Sequence, residues 1–181
     1  MTTYIALLRG INVGKAKRIA MADLRALLEE LGYTDVTTLL NSGNVVFRSS
    51  KKTSAKIAAE ISSAIAAQLT IDVPVIVKSA KDLAAIIADN PFADTATDPS
   101  RLLVAFTPDA GTLSALDAIA PKVVAPEQFF LGTHAAYLHC ASGILESKAG
   151  EALVGKAGRA ATTRNWTTVL KLQALVDKID A

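Results

Sequence analysis

Val36-Thr37-Thr38-Leu39-Leu40-Asn41-Ser42-Gly43-Asn44-Val45-Val46-Phe47-Arg48 decides how the first half of the chain folds. Two β-rich runs, Val36 to Leu40 and Val45 to Arg48, flank the turn formers Asn41-Ser42-Gly43-Asn44. Asparagine and glycine tolerate the left-handed backbone of a tight reversal, so the stretch reads as a hairpin. Upstream, Met21, Leu24, Leu27, Leu28 and Leu31 recur at helical spacing, with Asp23 in the first turn and Gly32 as a stop. Before that helix, the apolar run Tyr4 to Arg9 ends at Gly10 and reads as a buried strand. Downstream, Ile57, Ile61, Ile65 and Leu69 mark a second helix, with Thr53 or Ser54 as its cap. Val73 to Lys78 is a further strand, with Pro74 near its start. The resulting order, β-α-β-β-α-β, is that of the ferredoxin-like split unit, an antiparallel sheet with both helices on one face.

The rest of the chain repeats the theme less clearly. Ser79 followed by Asp82 is a capping-box pattern for a helix through Ala88. Arg101 to Thr107 reads as a strand, and Leu113, Leu116 and Ile119 as a helix ended by Pro121. Gln128 to Leu131 with Ala135 to Cys140 suggests a second hairpin, and a helix follows near Glu146 to Val154. A last helix is expected to start at Asn165 and run to about Ile179, with Trp166 in its apolar stripe. The fold expected is α+β: a ferredoxin-like subdomain over 1–90 packed with a second small α+β subdomain over 91–181. The division falls in the breaker-rich region around Asn90-Pro91.

Composition narrows the class. The 181 residues are 51% hydrophobic with a net charge of +2, which is neither the low hydrophobicity nor the high charge of a disordered chain. Cys140 is the one cysteine, so a disulfide framework and Cys-rich zinc patterns are excluded. No apolar run reaches the 18 or so residues of a membrane span. Met1-Thr2-Thr3-Tyr4 shows no basic segment leading into an apolar stretch, so a cytoplasmic location is expected.

The net charge conceals a segmental pattern. Residues 1–18 hold Arg9, Lys15, Lys17 and Arg18 without an acid, and residues 148–171 hold Lys148, Lys156, Arg159, Arg164 and Lys171 against Glu151. Surfaces of that kind attract anions.

Catalytic patterns fail one by one. Gly10-Ile11-Asn12-Val13-Gly14-Lys15-Ala16 follows a strand as a P-loop does, but is one residue short and lacks the magnesium-binding hydroxyl. Gly150-Glu151-Ala152-Leu153-Val154-Gly155-Lys156-Ala157 has the right spacing, yet it lacks the hydroxyl and a preceding strand. His134 and His139 point to opposite faces of an extended strand, as do His139 and Cys140, so neither pair makes an evident metal site or nucleophile dyad.

Anion chemistry survives. In Arg9 to Lys15 the backbone N–H groups around Gly10 and Gly14 can form a nest, and Lys15 adds a point charge. Thr162-Thr163-Arg164-Asn165-Trp166 offers a helix start, with Arg164, Thr168 and Lys171 on one face of the expected helix. The hairpin tip, Asn41, Ser42 and Asn44, is a third candidate in which turn chemistry competes with ligand contact.

These segments resemble the bacterial family catalogued as domain of unknown function 1697. The resemblance rests on Leu8-Arg9-Gly10-Ile11-Asn12-Val13-Gly14, Met21 to Gly32, Asn41 to Phe47, Asn90-Pro91-Phe92, Ser142-Gly143-Ile144 with Ser147-Lys148, and Thr163 to Trp166 with Lys171-Leu172. It implies two α+β subdomains, the first ferredoxin-like, and brings no established activity. Lys15 and Asn41 stand where the family usually has glycine and glutamine. The site expected from motifs and chemistry together comprises Arg9, Gly10, Asn12, Gly14, Lys15, Asn41, Ser42, Asn44, Arg164, Asn165 and Lys171, with no metal. Its expected ligand is a phosphorylated small molecule or a nucleotide; nucleic acid and a protein partner are the alternatives.

Overall fold

A computed structural model of the chain describes residues 1–51 and 53–181. It contains two compact units, Met1–Leu83 with Leu172–Ala181, and Ala84–Lys171. Sequence reading places the division after residue 90; these units divide seven residues earlier, between Leu83 and Ala84, and the end of the chain goes with the first unit.

In the first unit β1 (Thr2–Leu8), α1 (Met21–Glu30), β2 (Thr34–Leu39), β3 (Asn44–Ser49), α2 (Ser54–Leu69) and β4 (Val75–Ser79) follow in order. The sheet runs β2-β3-β1-β4, and each adjacent pair is antiparallel. β1 therefore hydrogen-bonds on both sides, which suits a run with six buried residues in a row. Leu24, Leu27 and Leu28 of α1 and Ile57, Ile61 and Ile65 of α2 pack with Tyr4, Ala6, Leu8, Val45 and Phe47 in one core. Alternate residues of β1 and β3 share that face because successive strand side chains point to opposite sides. Burying each leucine or isoleucine is worth about 1.5–3 kcal/mol, so these two helices are held by packing more than by propensity.

At the edge of this core Tyr33 donates to Glu60 Oε2 at 2.6 Å, and Lys51 Nζ also donates to the Glu60 carboxylate. The Lys51 ammonium lies 5.2 Å from the centroid of the Tyr33 ring. The Lys51 hydrogen bond, then that of Tyr33, holds the Glu60 carboxyl below its ordinary value of 4.5. A carboxyl lowered on folding contributes stability that is complete above its unfolded value and lost as pH falls through the folded one. Glu60→Gln is therefore expected to flatten the acid limb of stability below about pH 4.5, read as urea midpoints across a pH series.

The helix α3 (Ala80–Ala88) begins directly after β4, and the reciprocal box foreseen at its start is present. Ser79 Oγ accepts from the Asp82 N–H at 3.1 Å, and Asp82 Oδ2 accepts from the Ser79 N–H at 3.2 Å.

The second unit traces the same path. It comprises β5 (Leu102–Phe106), α4 (Ala110–Ala115), β6 (Gln128–Leu131), β7 (Ala136–His139), α5 (Lys148–Val154) and β8 (Thr162–Asn165), and α6 (Trp166–Asp180) follows at once. Its antiparallel sheet runs β6-β7-β5-β8, so β5 takes the place that β1 has in the first sheet. Leu103, Ala105, Leu138, Leu113, Leu116 and Leu153 form its core. The helix expected to stop at Pro121 instead continues past Ala115 as a 3-10 helix, Leu116–Lys122, that contains the proline. Asn165 caps α6 as expected, accepting from the Thr168 N–H at 2.9 Å, and Trp166 is buried. Among the described residues no helix is long and apolar enough to cross a membrane.

Candidate functional site

Between β1 and α1 the chain makes a long connection, Arg9 to Ala20, fastened at its entry to two neighbours. The Leu8 N–H donates to Gly43 O at 2.9 Å and the Arg9 N–H to Pro74 O at 3.0 Å. Four of its residues have left-handed backbone: Gly10, Asn12, Gly14 and Lys17, with φ of 71°, 55°, 65° and 50°. Glycine adopts this region freely and asparagine at low cost.

Asn12 is the pin of the loop. Its Oδ1 accepts from the Ile19 N–H at 2.9 Å, while its Nδ2 donates to Ile19 O at 2.9 Å and to Asn41 O at 2.8 Å. One side chain thus ties the end of the loop to its beginning and both to the hairpin turn. Gly43 closes the arrangement from the other side. A Cβ there would lie 2.8 Å from both Leu8 Cβ and Ile11 Cδ1, at a φ of 89° that resists any side chain. Asn44 is fully buried and holds the turn by donating to Leu39 O at 2.8 Å and Ser42 Oγ at 2.9 Å.

The pinned loop and the turn enclose a cleft of about 280 Å³ lined by Asn12, Arg18, Ile19, Ala20 and Asn41. Helix α1 starts at its edge, and the residue in the capping position, Ala20, has no side chain that could accept from the first-turn N–H groups. Those groups carry the positive end of the helix dipole. Arg18 and Asn41 are exposed at the cleft, and Lys15 and Lys17 are exposed on the same loop. A cationic group, an amide and an uncapped helix start therefore meet in one small opening. That combination suits a phosphate or a carboxylate.

Of the residues expected to form the site, Asn12 and Asn41 line this cleft. Gly10, Gly14 and Lys15 lie on the loop, Arg9 at its half-buried entry, Ser42 in the turn and Asn44 at the start of β3. Arg164, Asn165 and Lys171 belong to the second unit. The expected helix face of Arg164, Thr168 and Lys171 does not form, because Arg164 precedes α6 on β8, paired with Val104. The residue is 8% exposed, and its guanidinium donates to Thr162 Oγ1 at 2.9 Å and Thr163 O at 2.8 Å. Burial pulls it down to about 10, which leaves it cationic at neutral pH. Asn165 is spent on its cap, and Lys171 is exposed on α6.

Arg18 and Ala20 were not singled out from the sequence. The clue available was the absence of Ser, Thr, Asp or Asn just before Met21, where a helix start normally carries one. Two other features lose their chemical interest. Cys140 is fully buried, and burial pushes its thiol up, away from the thiolate a nucleophile needs. Tyr4 and Phe47, the aromatics of the first sheet, are 3% and 0% exposed, so they offer no stacking platform for bases.

Architecture and motifs together define an α+β protein built on two four-stranded antiparallel sheets. The chain belongs to the family described as "Protein of unknown function (DUF1697)", whose model matches residues 1–137. Among solved structures it is similar to a conserved bacterial protein from Streptococcus pneumoniae, at 23% identity and a TM-score of 0.81, over 97% of this chain and 98% of that one. At that identity the likeness speaks for the fold alone. No curated protein matches the chain.

Proposed function

We propose that the first unit binds the phosphate group of a phosphorylated small molecule or nucleotide in the cleft between the pinned loop and the hairpin turn. The carrying observation is the meeting of Arg18, Asn41 and the start of α1, which no side chain caps, around about 280 Å³. The volume is near the lower end of small-ligand pockets and large for one phosphate, so part of the attached group enters with it. The lining supplies donors and charge but neither a nucleophile nor a general base, which makes this a binding and positioning site. The β-α-β-β-α-β order and the β2-β3-β1-β4 sheet support a ferredoxin-like plan for this unit, with the ligand at a loop end and not on the sheet. A cytoplasmic setting, where phosphorylated metabolites are found, is part of the same reading. The burial of Tyr4 and Phe47 favours a small molecule over single-stranded nucleic acid.

Arg18→Ala is expected to weaken binding of a nucleoside monophosphate about tenfold, or about 1.4 kcal/mol, in calorimetric titration. Because Arg18 is exposed, its removal leaves the fold intact. Equal affinity in the wild type and Arg18→Ala would remove the cleft from consideration.

A further inference from the structure

The second unit carries a larger and more basic opening. About 800 Å³ of space is lined by Lys122, Lys148, Glu151 and Lys156, with small residues such as Ala152 and Ala157 between them. Lys122 ends the 3-10 helix, Lys148 begins α5, and Lys156 follows α5 in the next turn, so three separate backbone positions aim cations at one space. The segment that imitates a P-loop in sequence contributes here in another way. Gly150 is buried inside α5, where its N–H donates to Ser147 Oγ at 2.9 Å, so it cradles nothing. Gly155 and Lys156 instead reach the cavity wall. Lys148 sits in the first turn of α5, the end where the helix dipole disfavours a cation.

We propose that this cavity is a second binding site, distinct from the cleft of the first unit, and that it takes a di- or triphosphate chain carrying a hydroxyl- or amine-bearing group. Three ammonium groups act as point charges that match several phosphoryl oxygens, whereas a single carboxylate is better met by the fork of an arginine. The volume falls within the range of ligand pockets and exceeds what one phosphate fills. Glu151 repels a phosphate and so faces the other end of the ligand, where it accepts from a hydroxyl or amine. Ala152 and Ala157 leave room for an apolar body.

Calorimetric titration of the full chain with pyrophosphate and with ADP tests this. Both are expected to bind the wild type at low ionic strength, and Lys156→Gln and Lys148→Gln each to weaken both by about fivefold to tenfold. Glu151→Gln is expected to tighten pyrophosphate and to narrow the advantage of ADP over it. Because the first cleft also takes phosphate, the lysine variants are repeated in the Arg18→Ala background, where pyrophosphate is expected still to bind and to be weakened by the same factor in Lys156→Gln and Lys148→Gln. All four side chains of the second cavity are exposed, so the variants should keep the wild-type melting temperature. Absence of pyrophosphate and ADP binding in the wild type overturns the proposal. So does binding that is lost in Arg18→Ala and retained in Lys156→Gln, which would put the ligand in the first unit.

Discussion

Asn12→Ala is expected to lower the stability of the protein by about 3 kcal/mol, more than an ordinary surface substitution can do. The residue is only half buried, and the effect comes from its bonds. Three hydrogen bonds vanish at once: those from the Ile19 N–H and to the carbonyls of Ile19 and Asn41. At about 0.5–1.5 kcal/mol each they account for most of the loss. The remainder is backbone strain, since Asn12 holds a φ of 55° that alanine adopts only at a cost of about 1 kcal/mol. Asn12→Gly separates the two contributions, because glycine removes the bonds and keeps the backbone at ease. It should retain about 1 kcal/mol of what alanine loses. The check is a pair of thermal unfolding curves, with a fall in melting temperature of roughly 6–12 °C for alanine. Phosphate binding in the first cleft should fail in both variants, because the loop that presents Arg18 is no longer tied to the turn.

Much of the first unit was legible because its strands and helices announce themselves by period. Leu24, Leu27 and Leu28 recur on one helical face, Ile57, Ile61 and Ile65 on another, and all six are buried. The hairpin is set by Asn41 to Asn44, whose turn chemistry does not depend on the rest of the fold. β8 lacks such a signature. Thr162-Thr163-Arg164-Asn165 has no apolar alternation, and what it buries are the polar residues Thr162 and Arg164. Its strand character comes from the ladder that β5 offers at Leu103 to Phe106, a long-range partner invisible to a local window. The same limit hides the last step of the repeated order: the strand, helix, hairpin and helix of the second unit are legible, and β8 is not. What recurs between the two units is a succession of elements, and no residue pattern carries it.

The site was legible in composition and illegible in assembly. Glycine, asparagine and base in Arg9 to Lys15 mark a constrained basic loop, but ligand-facing and loop-holding asparagines look alike in sequence. The structure separates them: Asn12 and Asn44 are occupied with backbone carbonyls, and Asn41 is exposed at the cleft. Arg18 shows the opposite case. It reads as one charge in a basic run, and it acquires a place only because the Asn12 bonds fold the run back toward α1.

Gly158→Ala is expected to be the most damaging single methyl that can be added to the second unit. The new Cβ would lie 1.7 Å from Leu153 O and 2.7 Å from the Leu153 carbonyl carbon. Both are backbone atoms of α5, so no side-chain rotation relieves the overlap, and the turn after the helix has to lift away. That movement breaks the bond from the Gly158 N–H to Ala152 O, at 3.2 Å, and strains the one from the Ala161 N–H to Gly158 O, at 2.9 Å. Overpacking of this kind costs about 1–3 kcal/mol, and the lost and strained bonds raise the expected total to about 4 kcal/mol. The damage should spread in a defined direction. Ala161 is the last residue before β8, so amide exchange should rise along Thr162 to Asn165, and little in β1 or β3. Lys156 lies within the displaced turn, so pyrophosphate affinity in the second cavity should fall even under conditions where the variant remains folded. A neighbouring control, Ala160→Gly, touches an exposed position of the same turn and should cost less than about 1 kcal/mol. If Gly158→Ala melts within a degree or two of the wild type, the turn does not pack against α5 as described, and the placement of Lys156 falls with it.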